Sequence, residues 1–168
     1  SWISYLNSIE NEIARIEKNS DLVCFRGQAE SNWELRPSLL VKQIKNYLTD
    51  SEITTKETAL FFDFVTNAGP LLKNNISDWE ILFEMRHHGI PTRLLDWTEN
   101  FGTALYFALY GGGENPTIWI MDCYKLNSIT WKSNTIPNPL RDLNFNYENA
   151  YLLGKTKDPY SESLAIIA

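Results

Sequence analysis

The chain reads as an α+β protein, a single domain in which a small mixed or antiparallel sheet is packed by several helices. Three observations point there. Apolar residues recur at helical spacing in the opening segment, with Ile3, Leu6, Ile9, Ile13 and Ile16 at three- and four-residue steps. Short β-type runs stand far apart, Leu22-Val23-Cys24-Phe25 early and Thr117-Ile118-Trp119-Ile120-Met121 late. Between them helices follow one another without the regular strand–helix alternation of a doubly wound sheet.

Each element has a local reason. The opening helix is amphipathic, with Glu10, Asn11, Glu12, Arg15 and Glu17 between the apolar positions, so its stripe is expected on the core. The first strand ends at Arg26-Gly27. From Trp33 to Leu40 the chain passes through Pro37 and is read as irregular or extended, which leaves Arg36 outside regular helix. A largely buried helix is predicted over 51–68, with the aromatics near its end in the core, and it stops at Gly69-Pro70. Ser77-Asp78-Trp79-Glu80 matches a capping box, in which a Ser side chain and the Glu three residues on satisfy each other's main-chain donors. The helix that begins there should end near His88, because Gly89 suits a left-handed cap and Pro91 cannot continue the turn. Thr98 is the expected cap of a further helix through Tyr110, terminated by Gly111-Gly112-Gly113. Beyond Asp122 the periodic signal fades, and a last strand is expected from near Ser163.

Composition narrows the functional classes. The 168 residues carry a net charge of -6, which argues against non-specific nucleic-acid binding, since that depends on clustered Lys and Arg. Cys24 and Cys123 each stand in an apolar, strand-like context and are read as buried free thiols rather than a disulfide or metal pair. No apolar run approaches the roughly 20 residues that span a bilayer, so no membrane association is expected and the location is read as cytoplasmic. The run 164–168 resembles a strand cut short, so the domain is expected to be truncated at its C-terminal end, with additional domains in the full-length protein.

Two segments look built for a ligand. Arg26 offers a planar fork of donors to a phosphate or carboxylate, and Gly27 lets a ligand approach the backbone. The bend His87-His88-Gly89-Ile90-Pro91-Thr92-Arg93-Leu94-Leu95-Asp96-Trp97-Thr98 gathers titratable, hydrogen-bonding and aromatic groups between two helices. There are bland readings of the same residues: Arg26 paired with a carboxylate such as Asp96 or Glu80, the histidines capping the last carbonyls, Leu94 and Leu95 in the interior, Arg93 paired with an acid. A polar site walled by Trp97 and Tyr106 accounts for the concentration of groups. The candidate ligand-binding set is Gly27, Arg36, His87, Thr92, Arg93, Trp97, Thr98 and Tyr106; the candidate catalytic set is Arg26, Asp96 and Glu162. The Cys, His and acidic residues show no zinc spacing, so no metal site is assigned. Nucleophile elbow, phosphate-loop and dinucleotide patterns are missing from the sequence.

Phe25-Arg26-Gly27, followed by Gln28, Trp33, Leu35, Pro37 and Ser38, resembles the FRG domain, a family named for its aromatic-Arg-Gly motif. Its second motif, Gln-His-Tyr-Gly-Leu-Pro-Thr-Arg-Leu-Leu-Asp-Trp-Thr and then Ala-Leu-Tyr-Phe-Ala, is similar to the residues from Arg86 to Thr98 and from Ala104 to Ala108. The resemblance runs from about Leu22 to Asp122 and aligns His87 with the family histidine. Arg86 replaces glutamine, His88 tyrosine, and Phe101 the usual proline. The family occurs in bacterial and phage-related proteins, and the resemblance assigns no activity by itself. More distantly, an arginine on an early strand and then a Thr-rich strand leading into an Ala-x-x-Phe-Ala helix resemble the layout of ADP-ribosyltransferases, where the arginine and hydroxyl groups hold NAD and a later acid acts in catalysis.

Three readings follow. In the first the protein binds a nucleotide-like small molecule, with NAD the suspected cofactor, as a transferase or NAD hydrolase: Arg26 on the pyrophosphate, Thr92 or Thr98 at the ribose, Tyr106 or Trp97 against nicotinamide, and Asp96 or Glu162 stabilising the oxocarbenium-like charge. In the second it is a non-catalytic ligand-sensing module. In the third it is a protein-interaction scaffold whose motif residues form a buried polar network.

Overall fold

The computed structural model describes residues 2–18, 20, 22–44, 50–72, 75–130, 132–138 and 140–141. In chain order the elements are α1 (Trp2–Glu17), β1 (Val23–Gln28), α2 (Ser38–Ile44), α3 (Asp50–Ala68), a short 3-10 turn (Gly69–Leu71), α4 (Asp78–His87), α5 (Phe101–Tyr110), β2 (Thr117–Asp122) and α6 (Cys123–Thr130). Among the described residues six helices and a two-stranded antiparallel sheet make the class α+β. The described residues divide into two units, one containing 2–34 and Asp96–Ile136, the other Leu35–Leu95 and the described residues from Pro137 to Arg141. Glu162 and the strand expected near Ser163 lie outside the described residues.

In the first unit β1 and β2 pair in register from Val23 against Asp122 to Gln28 against Thr117. Successive side chains on a strand face opposite ways, which puts Phe25 and Gly27 on one side of the ribbon and Cys24, Arg26 and Gln28 on the other. The Phe25 side packs on α5. Phe25 is buried and meets Phe101 edge to face, with ring centroids 5.8 Å apart. One step on, a Cβ at Gly27 would collide with the Ala104 carbonyl and come within 2.7 Å of the Ala108 nitrogen. Ala104 and Ala108 are the buried residues of α5, so a glycine and two alanines one turn apart allow strand and helix backbones to touch.

Several sequence expectations need correction here. α5 starts at Phe101 under Asn100, whose Oδ1 accepts from the Thr103 N–H at 3.0 Å. Thr98 is not that cap because it stands three residues before the first helical residue: its Oγ1 accepts from the Asn100 N–H at 3.1 Å, and its main chain donates to the Phe25 carbonyl (2.9 Å) and accepts from the Phe25 N–H (2.7 Å). The stripe of α1 is only partly on the core, with Ile9 buried and Ile3 70% exposed. α6 was not anticipated; it runs straight out of β2, with Asp122 Oδ1 accepting from the Lys125 N–H at 2.9 Å.

In the second unit, α3 turns Ile53, Glu57 and Phe61 inward at four-residue steps. Phe61 joins Trp79, Ile81, Leu82 and Met85 of α4 in the main core cluster, and Leu94 and Ile90 pack against it. Phe62, expected inside, is 60% exposed, because burial follows the 53–57–61 stripe and Phe62 stands off it. Leu39 and Leu40 of α2 close over Ile53. That helix was read as irregular chain; Pro37 does not block it because it stands just before the first helical residue, where its carbonyl accepts from the N–H groups of Leu40 and Val41.

Candidate functional site

The capping box at the start of α4 forms as the sequence indicates: Ser77 Oγ accepts from the Glu80 N–H, and Glu80 Oε2 accepts from the Ser77 N–H at 2.9 Å. At the other end, Gly89 is left-handed at φ 74. The Gly89 N–H reaches the Arg86 carbonyl at 3.1 Å and the Ile90 N–H reaches the Met85 carbonyl at 2.9 Å. These two bonds are a Schellman closure. The apolar contact that accompanies it is present, since Ile90 packs on the cluster that contains Met85. Thus the segment from His87 to Ile90 is first of all a helix stop.

Within this second unit His87 and His88 are exposed at the helix end, with rings edge to face at 5.5 Å. His88 Nε2 stands 3.7 Å from Glu84. Thr92 is fully buried. Its Oγ1 accepts from the Leu94 N–H at 3.3 Å, and its carbonyl accepts from the Leu39 N–H. Arg93 is held by Glu57, whose Oε1 accepts from the Arg93 main-chain N–H (2.8 Å) and whose Oε2 accepts from Nε (2.6 Å). The arginine side chain is 7% exposed and the glutamate 1%. Two of the candidate ligand contacts, Thr92 and Arg93, therefore spend hydrogen bonds inside the unit. Arg36 is half-buried in the turn before α2.

The first unit holds Arg26, Gly27, Asp96, Trp97, Thr98 and Tyr106. Arg26 Nη1 donates to the Asp96 carbonyl at 2.7 Å. This contact is to the Asp96 backbone. This bond and the Phe25–Thr98 pair lace the aromatic-Arg-Gly strand to the end of the second motif. Thr98 Oγ1 accepts from the Asn100 N–H at 3.1 Å. Trp97 packs against the buried Cys24 and Cys123. Tyr106 is exposed and stacks on Tyr110 at 5.1 Å. Gly27 is required by the helix behind it.

Two partners escaped the sequence reading. Trp119 lies directly across from Arg26 in the ladder, so their side chains are neighbours on the face turned away from α5. Its Nε1 donates to Gln28 Oε1 at 2.6 Å, which ties the indole to the residue two positions after Arg26 on the same face of β1. Trp119 is separated from Arg26 by most of the chain, and only the strand register could have revealed the pairing. Glu57 was invisible for another reason: a glutamate amid polar helix residues carries no sign that it occupies the core stripe.

Among the described residues no group of three or more His, Cys, Asp or Glu side chains could hold a metal ion, and no helix is long and apolar enough to cross a membrane. No curated protein and no solved structure matches the chain. A family model described as the FRG domain matches residues 21–115, from just before β1 to just before β2. The match takes in both motifs and more than half of the sequence, and on that ground the chain belongs to the FRG domain family.

Proposed function

We propose that this FRG domain binds a nucleotide-type anionic ligand on the face of the β1–β2 ribbon opposite α5. Arg26 takes a phosphate or pyrophosphate through its guanidinium fork, and Trp119 supplies a flat surface for a base or nicotinamide ring. The observation that carries this reading is the cross-strand pairing of Arg26 with Trp119, with Arg26 steadied by the Asp96 carbonyl and Trp119 by Gln28. A charged fork and an aromatic face side by side are the two things a nucleotide offers partners for.

NAD is the ligand we favour, with transfer or hydrolysis of its ADP-ribosyl group as the reaction class. There the bond between the ribose and nicotinamide breaks, nicotinamide leaves with the bonding electrons, and water or an acceptor side chain takes the ribosyl carbon. Asp96 and Glu162 are the candidate carboxylates to stabilise the positive charge on the sugar. Titration with NAD, ADP and inorganic phosphate, with nicotinamide release followed in parallel, tests this. Binding of the two nucleotides that falls at least tenfold in both Arg26→Ala and Trp119→Ala supports the reading; binding unchanged in both variants ends it.

A second reading, a non-catalytic ligand-sensing or protein-interaction module, is favoured by the burial of Thr92 and Arg93, which puts part of the motif's polar chemistry into holding the fold. Nucleotide binding without nicotinamide release is its expected outcome.

A further inference from the structure

Cys24 and Cys123, 99 positions apart, meet inside the first unit. The reason is the strand register: Val23 pairs with Asp122, so Cys24 and Cys123 flank the last rung of the ladder, one on β1 and the other opening α6. Both thiols are buried, and the Cys123 Sγ–H donates to Cys24 Sγ at 2.9 Å. A disulfide requires about 2.05 Å between sulfurs, so the bond lies less than an ångström of closure away. Leu22, Trp97, Met121, Leu126 and Ile136 are the apolar side chains packed against the pair.

We propose that Cys24 and Cys123 form an oxidisable dithiol, a modification site that closes to an internal disulfide in the presence of peroxide or a low-molecular-weight disulfide. The step balances with peroxide as oxidant. One thiolate attacks a peroxide oxygen to give a sulfenic acid and water; the second sulfur then attacks the sulfenic sulfur, forming the S–S bond and expelling a second water. Two thiols and one peroxide become one disulfide and two waters. The two thiols are shifted in opposite directions. Donation from Cys123 holds the Cys24 thiol below its ordinary range, whereas that donation and burial push Cys123 well above it.

The loop closed by this bond contains the whole segment from β1 to β2, including every residue between Leu35 and Leu95. Constraining so long a loop in the unfolded chain favours the folded state. The inference is independent of the ligand proposed above.

The test treats the folded protein with hydrogen peroxide or oxidised glutathione, then determines intact mass, free thiols under denaturing conditions and a non-reducing peptide map. The expected result is loss of two hydrogens and of both free thiols, a single Cys24–Cys123 link, no covalent dimer, and reversal by dithiothreitol. Thermal unfolding of the bridged form should rise by about 5–10 °C. In Cys24→Ala and Cys123→Ala the oxidant should produce no such rise. Oxygen addition to one sulfur without a bridge, a link between chains, or two unreacted thiols after excess oxidant would each overturn the proposal. Should either variant fail to fold, the peptide map of the natural chain alone decides the matter.

Discussion

Glu57 closes on Arg93 by two bonds at once, accepting from the main-chain N–H at 2.8 Å and from Nε at 2.6 Å, with both side chains nearly excluded from solvent. The carboxylate comes from the middle of α3, and the arginine from the Pro-Thr-Arg-Leu-Leu-Asp-Trp motif. One buried ion pair therefore positions the loop after α4 against the helix that precedes it.

Removing one partner strands the other charge in the interior. Arg93→Ala and Glu57→Ala are each expected to lower unfolding free energy by about 3–5 kcal/mol, whereas Glu57→Leu combined with Arg93→Met should recover most of that loss. Denaturant unfolding of the two single variants and the double variant measures this. If Arg93→Ala keeps full stability and loses only ligand binding, the arginine belongs to a binding site instead.

Gly27→Ala has no room. The new methyl would press on the backbone of α5 at Ala104 and Ala108, and backbone yields less readily than a side-chain tip. The expected loss is about 1–3 kcal/mol or more, read as a drop in the thermal midpoint. A neutral outcome would mean that strand and helix stand further apart than described.

Gly89→Ala places a Cβ at φ 74 with open space around it. Strain alone then sets the cost, about 1–2 kcal/mol, and Gly89→Asn should cost less because Asn tolerates this conformation. Equal losses for Ala and Asn in chemical denaturation would contradict a purely conformational role.

Asn100→Ala removes the side-chain acceptor for the Thr103 N–H at the head of α5. About 1 kcal/mol of stability should go with it, and Asn100→Asp should retain most of the cap. Thr98→Ala, by contrast, leaves α5 capped. Unfolding midpoints of the three variants should rank accordingly, and a larger loss at Thr98 than at Asn100 would reverse the assignment of the cap.

What the sequence determined by itself is what a few adjacent residues decide. Ser77 and Glu80 answer each other across one turn, Gly89 and Ile90 turn the chain at the end of α4, and the β-type runs at 22–25 and 117–121 announce strands whose residues pair as β1 and β2. The α+β class and membership in the FRG domain family follow from such local signals and from the two motifs.

Only the tertiary structure decided which residues meet. Whether Arg93 meets a ligand or an acid depends on Glu57, 36 positions away, and nothing in the neighbourhood of either residue encodes the other. Register placed Trp119 beside Arg26 and Cys123 against Cys24. It also turned Gly27 toward α5, giving the glycine a packing reason where the motif alone invites a ligand. Caps and turns are settled by bonds a few residues long, whereas cross-strand neighbours and buried pairs are selected by the packing of the whole unit.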